Sequence, residues 1–299
     1  MANISVVINA LNAALYLETA LTSVQWADEI VVVDDGSTDD TIKIAKKYTN
    51  KIYKHKSVGF VEPARNLAIS KASGDWILIL DTDEEISSEL AKRLRDISKN
   101  LEQINYVEIP RKNIIFNKWM KASMWWPDYN IRFFRKGAVK WSNKIHRPPD
   151  VAGEGMKLEL KEELAITHHH YRTINEFVER LNRYTTIQAN ELIENGYKFS
   201  WSDLLTKPLS EFLSRFFANR GFEDGLHGLS LSLLQAFSFL IMYLKVWEKE
   251  KFFSKEIDLT ELRQLKKKSG EDLDYWFKYG NLSKNPLKRF VQKVANRVK

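Results

Sequence analysis

Two groups of carboxylates stand at the ends of apolar runs. Asp34-Asp35-Gly36-Ser37-Thr38-Asp39-Asp40-Thr41 follows Ile30-Val31-Val32-Val33, and Asp81-Thr82-Asp83-Glu84-Glu85 follows Trp76-Ile77-Leu78-Ile79-Leu80. Carboxylates gathered this closely repel and raise one another's pKa values unless a cation lies among them. Hard oxygen ligands in a small cluster suit Mg2+ or Mn2+, which in turn would hold a diphosphate. Asp81 and Asp83 carry this reading best, because they directly follow an apolar strand. Acids in such places also cap helices and form turns, a role that fits Asp39 and Glu85 as well. Neither group is a glycine-rich phosphate cradle, which disfavours a dehydrogenase or a P-loop nucleotidase. The chain has no cysteine, so a disulfide scaffold, a thiol nucleophile and Cys-ligated metals are excluded.

The elements that must position these acids follow from the hydrophobic pattern. Ser5-Val6-Val7-Ile8 and Ile30-Val31-Val32-Val33 are short β-branched runs, as buried parallel strands would be. Ala14, Leu17, Leu21 and Val24 lie between them at helical spacing. Asp39-Asp40-Thr41 offers an N-cap to a helix carrying Ile42, Ala45 and Tyr48, and Lys51-Ile52-Tyr53 reads as a third strand. Pro63 opens a helix before Leu67 and Ile69, and a fourth strand, residues 76–80, ends at Asp81. This alternation predicts an α/β fold, a mostly parallel sheet with helices on both faces, whose ligands bind beyond the carboxyl ends of the strands.

Trp26-Ala27-Asp28-Glu29-Ile30 through Asp39 resembles the opening of family 2 glycosyltransferases with the GT-A fold. Arg65-Asn66 followed by Gly74-Asp75-Trp76 through Glu84 is similar to that family's approach to its D-x-D motif. Trp126-Pro127-Asp128-Tyr129-Asn130-Ile131-Arg132-Phe133-Phe134-Arg135 resembles the branch that includes lipopolysaccharide-core glucosyltransferases of the WaaE/KdtX type. The likeness continues through His168–Tyr184, Trp201–Pro208 and Arg220–Gly228.

The resemblance implies a metal-dependent, inverting transfer of a hexose from a nucleotide-sugar, a UDP-sugar, to a membrane-bound glycolipid such as a lipopolysaccharide core. It implies that Asp35 accepts a hydrogen bond from uracil and Asp34 shapes that pocket. Arg65 would lie along the nucleotide, Asp81 at the ribose, and Asp83 on the Mn2+ or Mg2+ ion. Inversion needs a base on the acceptor side, and Asp128 is the candidate; an Asp after Pro127 also suits a turn cap. Trp125, Trp126 and Tyr129 beside it could stack on a sugar, Trp126 being the candidate acceptor contact, and could raise its pKa by desolvation. Arg132 either holds a phosphate of donor or acceptor or is an outward residue of a strand. His146, in Asn143-Lys144-Ile145-His146-Arg147-Pro148, is a second candidate for metal or diphosphate, although Arg147 stands where relatives carry an acid. His168-His169-His170 is not a zinc signature, because neighbours on a strand point to opposite faces. Near the start, Asn9-Ala10-Leu11-Asn12-Ala13 lacks the aromatic that stacks on uracil in some relatives.

At 299 residues, 44% hydrophobic and 28% charged, the chain is globular and of about two domains. The opening Met1-Ala2-Asn3-Ile4-Ser5 carries no basic stretch and no long apolar run, so no secretory signal is expected. Three regions are expected: a catalytic domain over 1–170, an interfacial helical region over 171–250, and a basic helical tail over 251–299. Residues 225–244 contain no Lys, Arg, Asp or Glu, yet Ser230, Ser232, Gln235, Ser238 and His227 interrupt them, so a helix lying in the bilayer interface fits better than one crossing it. The net charge of +7 lies in residues 251–299, which carry 13 basic and 6 acidic residues. Such a tail suits an anionic membrane surface and a peripheral or monotopic place on the cytoplasmic face of the inner membrane. Two other readings compete: transfer to a polyprenyl phosphate or other lipid-linked intermediate, and a nucleic-acid-binding protein that uses the basic tail.

Overall fold

The structure is a computed structural model that describes residues 2–56, 62–141 and 148–280. His146, and the final basic helix expected around Phe290, Val291 and Val294, lie outside the described residues. Contacts divide the chain into two units, Met1–Ile114 with Trp126–His170, and Ile115–Trp125 with Tyr171–Lys299.

The first unit opens with β1 (Ile4–Ala10), α1 (Leu17–Ser23), β2 (Glu29–Asp34), α2 (Thr41–Ala45), β3 (Ile52–Lys54), α3 (Glu62–Lys71) and β4 (Trp76–Asp81). There follow β5 (Glu84–Glu85), α4 (Ser88–Asn100), β6 (Ile104–Ile115), β7 (Lys118–Trp119, within the stretch that belongs to the second unit), β8 (Tyr129–Arg135), β9 (Val139–Lys140), β10 (Asp150–Val151), β11 (Glu154–Lys157) and β12 (Ile166–Tyr171). Alternation along the strands builds two apolar layers. Val6, Ile8, Val32, Leu78 and Leu80 face Leu17 and Leu21 of α1 and Leu90, Leu94 and Ile97 of α4. Val7, Val31, Val33, Ile77 and Ile79 face the opposite way, against Ala64 and Ala68 of α3 and Ala72 just after it. The Ser87 hydroxyl starts α4 by accepting from the Leu90 amide at 3.0 Å.

The strand order is β3-β2-β1-β4-β8-β6-β12-β5. Strands β3, β2, β1 and β4 are parallel, and β8 then joins β4 in antiparallel sense, with β6 antiparallel to β8. The parallel half is as the apolar runs predict. The antiparallel half has a physical cause: residues 116–128 between β6 and β8 contain no crossover helix, which a parallel connection requires. Register places Ala10 beside Asp34 and Asn9 beside Asp81, so both acidic turns leave the sheet at the same end.

The second unit contains α5 (Ile174–Glu194), α6 (Asp203–Leu213), α7 (Leu226–Lys249) and α8 (Leu259–Tyr279). Residues 115–125 are stitched into it: the Asp224 carboxylate accepts from the Lys121 and Ala122 amides at 3.0 and 2.8 Å, and the Ser123 amide donates to the Asn219 carbonyl at 2.8 Å. Gly228 of α7 lies against the Gly221 carbonyl, where a Cβ would sit 1.7 Å from the oxygen. Helix α7 packs on α5 and α6 through Leu231, Met242, Tyr243 and Val246. Its other side is apolar and open: Leu226, Leu233 and Phe237 are exposed, and half-buried Leu240 and Leu244 continue the stripe at helical spacing. By length and composition α7 is the one helix among the described residues that could cross a membrane, with 28% of its apolar window buried.

Candidate active site

The acidic turn after β2 folds through its own first carboxylate. Asp34 accepts from the Ser37 amide at 3.0 Å and the Gly36 amide at 3.3 Å, and Gly36 supplies the positive φ of +96° that this turn requires. Asn12 fastens the loop after β1 to this turn, its side-chain oxygen accepting from the Thr38 amide at 2.8 Å. Asp39, one residue before the N-cap Asp40, braces the turn: its carboxylate accepts from the Thr41 and Ala14 amides at 3.0 and 3.1 Å. Asp35 is buried, with its amide on the Ala10 carbonyl at 2.9 Å and one carboxylate oxygen 2.7 Å from His55 Nδ1. Burial raises the Asp35 carboxyl above its ordinary value, His55 offsets part of this, and the charge of Asp34 adds to it.

Beyond β4 the charges alternate. Asp81 is held by Arg65 Nη2 at 2.9 Å and Arg132 Nη2 at 2.6 Å. Arg132 Nη2 also donates to Glu84 Oε1 at 2.8 Å, and the other Glu84 oxygen accepts from the Asp81 amide at 3.0 Å. Arg111 Nη1 reaches the same Glu84 oxygen at 3.3 Å, while its Nε and Nη2 sit 2.9 and 2.7 Å from Asp128 Oδ2. Burial opposes the charge on Asp81, but Arg132 and Arg65 outweigh it and hold this carboxyl far below the usual range. The Nε atoms of Arg65 and Arg132 are buried and have no hydrogen-bond partner among the described residues.

Asp128 is fixed from both sides. Asn113 Nδ2 donates to Oδ2 at 3.0 Å and Asn130 Nδ2 to Oδ1 at 2.9 Å. The β6–β8 ladder sets this meeting, since the Arg111 amide donates to the Asp128 carbonyl at 2.9 Å. Its pKa therefore moves opposite to the sequence-based expectation. Burial does act to raise it, but the Arg111 charge and the bonds from Asn113, Arg111 and Asn130 leave it below the ordinary carboxylate value. Trp126 is half-buried and lies two residues before Asp128, joined to Pro127 by a cis peptide bond.

Strand β12 lies beside this group, with His168 opposite Glu84 and Thr167 opposite Glu85. His168 and His170 share one face, Nε2 to Nδ1 at 3.2 Å, while His169 turns to Glu85 at 2.8 Å. His168 Nδ1 is 2.6 Å from Asn113 Oδ1, and its Nε2 is 3.6 Å from Asp83 Oδ2. The ionised Asp128 only accepts, so Asn113 must turn its NH2 to Asp128 and its oxygen to His168. His168 Nδ1 then donates to Asn113, and its Nε2, 3.2 Å from His170 Nδ1, is turned to the side where Asp83 lies. Among the described residues no set of three His, Asp or Glu side chains converges on a metal position. Asp83 and His168 supply two donors of suitable type, a hard oxygen and an imidazole nitrogen.

Thus Asp81, Arg65, Arg132 and Asp128 are joined in one ion-pair system, Asp83 lies at its margin, and Asp34 and Asp35 occupy the neighbouring strand end. Sequence reasoning gave no role of their own to Glu84, Arg111, Asn113 or His55, and weighed His168 only in a histidine run that is not a zinc signature. A signal for two of them existed in β6, where Arg111 and Asn113 share a face and Lys112 points the other way, to Glu162 at 2.5 Å.

The profile of glycosyl transferase family 2 matches residues 5–153. An uncharacterized glycosyltransferase of Rickettsia typhi is 30% identical over 290 residues, covering 90% of this chain and 98% of that protein. The lipopolysaccharide core biosynthesis glycosyltransferase LpsC of Rhizobium meliloti is 23% identical over 254 residues, covering 82% and 92%. Among solved structures, S. aureus TarS 1-349 in complex with UDP aligns over 81% of this chain and 91% of that one, at 17% identity and a TM-score of 0.43.

Proposed function

The chain belongs to glycosyl transferase family 2, and from that premise we propose that it moves a hexose from a UDP-sugar to a membrane-bound glycolipid of the lipopolysaccharide-core class. The observation that carries this reading is the meeting of two acidic strand ends, Asp34–Asp35 and Asp81–Asp83, with Asp128 and its arginines at one end of the sheet. The likeness to LpsC supports the acceptor class.

Asp35 is the acceptor for the imide N–H of uracil, a hydrogen that cytosine lacks. Arg65 and Arg132, each with a spare Nε–H, lie where a diphosphate would need cations. Asp83 and His168 are the residues that would hold Mn2+ or Mg2+, the remaining ligands being diphosphate oxygens and water. Such an ion would neutralise the charge that develops on the departing diphosphate. Asp128 takes the proton of the acceptor hydroxyl as its oxygen forms a bond to the anomeric carbon. The bond from that carbon to the diphosphate breaks on the opposite face, so configuration inverts. Ionised throughout the neutral range, Asp128 is always ready to accept, although its low pKa makes it a weaker base.

The membrane place of the reaction, peripheral on the cytoplasmic face of the inner membrane, is supported by the open apolar stripe of α7 and by the charge of residues 281–299, which carry six basic and no acidic residues.

The test is a donor screen with UDP-glucose, UDP-galactose, UDP-N-acetylglucosamine and GDP-mannose, scored by nucleoside diphosphate release with Mn2+ and a lipopolysaccharide-core extract. A UDP-sugar should be turned over only when the extract is present. Asp128→Asn should bind that donor normally while transfer falls ~10²–10⁴-fold. Release from GDP-mannose alone, or transfer to polyprenyl phosphate but not to the core extract, would overturn the donor or the acceptor assignment respectively.

A further inference from the structure

The charged residues of the site form one unbroken chain, Arg65–Asp81–Arg132–Glu84–Arg111–Asp128, in which cation and anion alternate over contacts of 2.6 to 3.3 Å. Three arginines balance three carboxylates, so the chain is formally neutral. It runs from the nucleotide side to the acceptor side through side chains of α3, β4, β8, β5 and β6. Arg111 is its last cation. It grips Asp128 with two N–H groups on one oxygen and touches Glu84 with a third. Glu84 is fully buried, so Arg111 is anchored from behind by a carboxylate that solvent does not screen.

We propose that Arg111 is a positioning residue for transfer, fixing Asp128 by a two-pronged grip on Oδ2 so that Oδ1 faces the acceptor hydroxyl. The proposal rests on the reading of Asp128 as the base. Oδ2 already accepts from Arg111 Nε and Asn113 Nδ2, with Arg111 Nη2 in ion-pair contact at 2.7 Å, so both of its lone pairs are used. Oδ1 receives only Asn130 among the described residues and keeps a lone pair for an incoming proton. Without the grip, the carboxylate could rotate and exchange its two oxygens. The other charged groups near Asp128 are Arg132 on β8, Glu84 on β5 and Asp81 on β4, with Arg65 beyond Asp81 and the His168–Asp83 pair behind Asn113. Arg111 is the one cation among these that touches Asp128, so its loss removes the direct compensation of that charge.

The experiment compares wild type, Arg111→Gln, Arg111→Lys and Asp128→Asn in two readouts. The first needs no substrate: the carboxyl ¹³C resonance that disappears in Asp128→Asn is followed against pH in aspartate-labelled protein. In Arg111→Gln it should titrate at higher pH than in wild type, with Arg111→Lys in between. The second is the pH profile of UDP release from UDP-glucose with Mn2+ and core extract. Its acid limb should move up with the carboxyl titration, kcat should fall at least tenfold, and the KM for UDP-glucose should stay within twofold. Arg111→Lys, which keeps a cation beside Glu84, guards against a misfolded Gln variant. An unmoved Asp128 titration in both Arg111 variants overturns the positioning role, as does a loss of donor affinity with the acid limb unchanged. Full transfer by Asp128→Asn instead overturns the base assignment, whatever Arg111 does.

Discussion

Asp81 and Asp83 stand two residues apart and differ in what surrounds them. Two arginines compensate Asp81, whereas Asp83 lies 3.6 Å from the Nε2 nitrogen of His168. A cation therefore gains little at Asp81, whose charge two arginines already compensate, and Asp83 beside an imidazole nitrogen is the better place for one. Asp83→Ala should abolish Mn2+ binding in the presence of UDP, measured as free Mn2+ by electron paramagnetic resonance, and His168→Gln should weaken it at least tenfold. Unchanged Mn2+ affinity in Asp83→Ala would remove this residue from the metal site. The same comparison applied to Asp81→Asn should leave Mn2+ binding largely intact.

Among the elements, the sheet is tied at the end opposite the site by one acid. Glu29, at the start of β2, accepts from Lys51 before β3, from Ser5 on β1 and from the Ser73 amide and hydroxyl before β4. Burial acts to raise its pKa, but these partners prevail and bring it down to about 2. A carboxyl lowered on folding lends stability that is complete above its unfolded value of ~4.3 and is lost as pH falls through its folded value. Glu29→Gln should therefore be clearly less stable than wild type in urea at pH 7, and the gap should narrow as pH falls from 4 towards 2. A gap that stays constant over this range would show that the charge of Glu29 contributes nothing.

For the molecule as a whole, the charge lies at one end of the chain and the open apolar stripe on a single helix. Residues up to 250 are formally neutral, with 33 basic and 33 acidic residues, while residues 251–299 carry +7. Apolar burial and attraction to anionic lipid add, and only the second is screened by salt. The protein should sediment with vesicles of phosphatidylglycerol and phosphatidylethanolamine at low salt and detach in part at 1 M NaCl. Removing residues 281–299 should weaken sedimentation, and Leu233→Glu with Phe237→Glu on α7 should weaken it further. Retention of the intact protein in the supernatant at low salt would end the peripheral-membrane reading and favour a water-soluble acceptor.

The first four strands, their alternation with helices along the chain and the acidic ends were legible in the sequence, because β-branched runs, helical spacing and a polar break after an apolar strand are local signals. So was the opposition of His169 to His168 and His170, which follows from strand alternation alone. Other features depended on residues far apart in the chain. The β6–β8 register slips by one residue between Val107 and Glu108 and leaves Arg132 as the extra residue on β8, a bulge beside the pairs it makes with Asp81 and Glu84. No pattern in Ile131-Arg132-Phe133 announces that slip. The direction of the Asp128 pKa shift was equally hidden: the sequence shows aromatic neighbours, which desolvate, but Arg111 lies 17 residues away and reaches Asp128 only across an antiparallel ladder. Local pattern decides which residues enter a strand; the sign of a charge's environment is decided by which strands the tertiary structure makes neighbours.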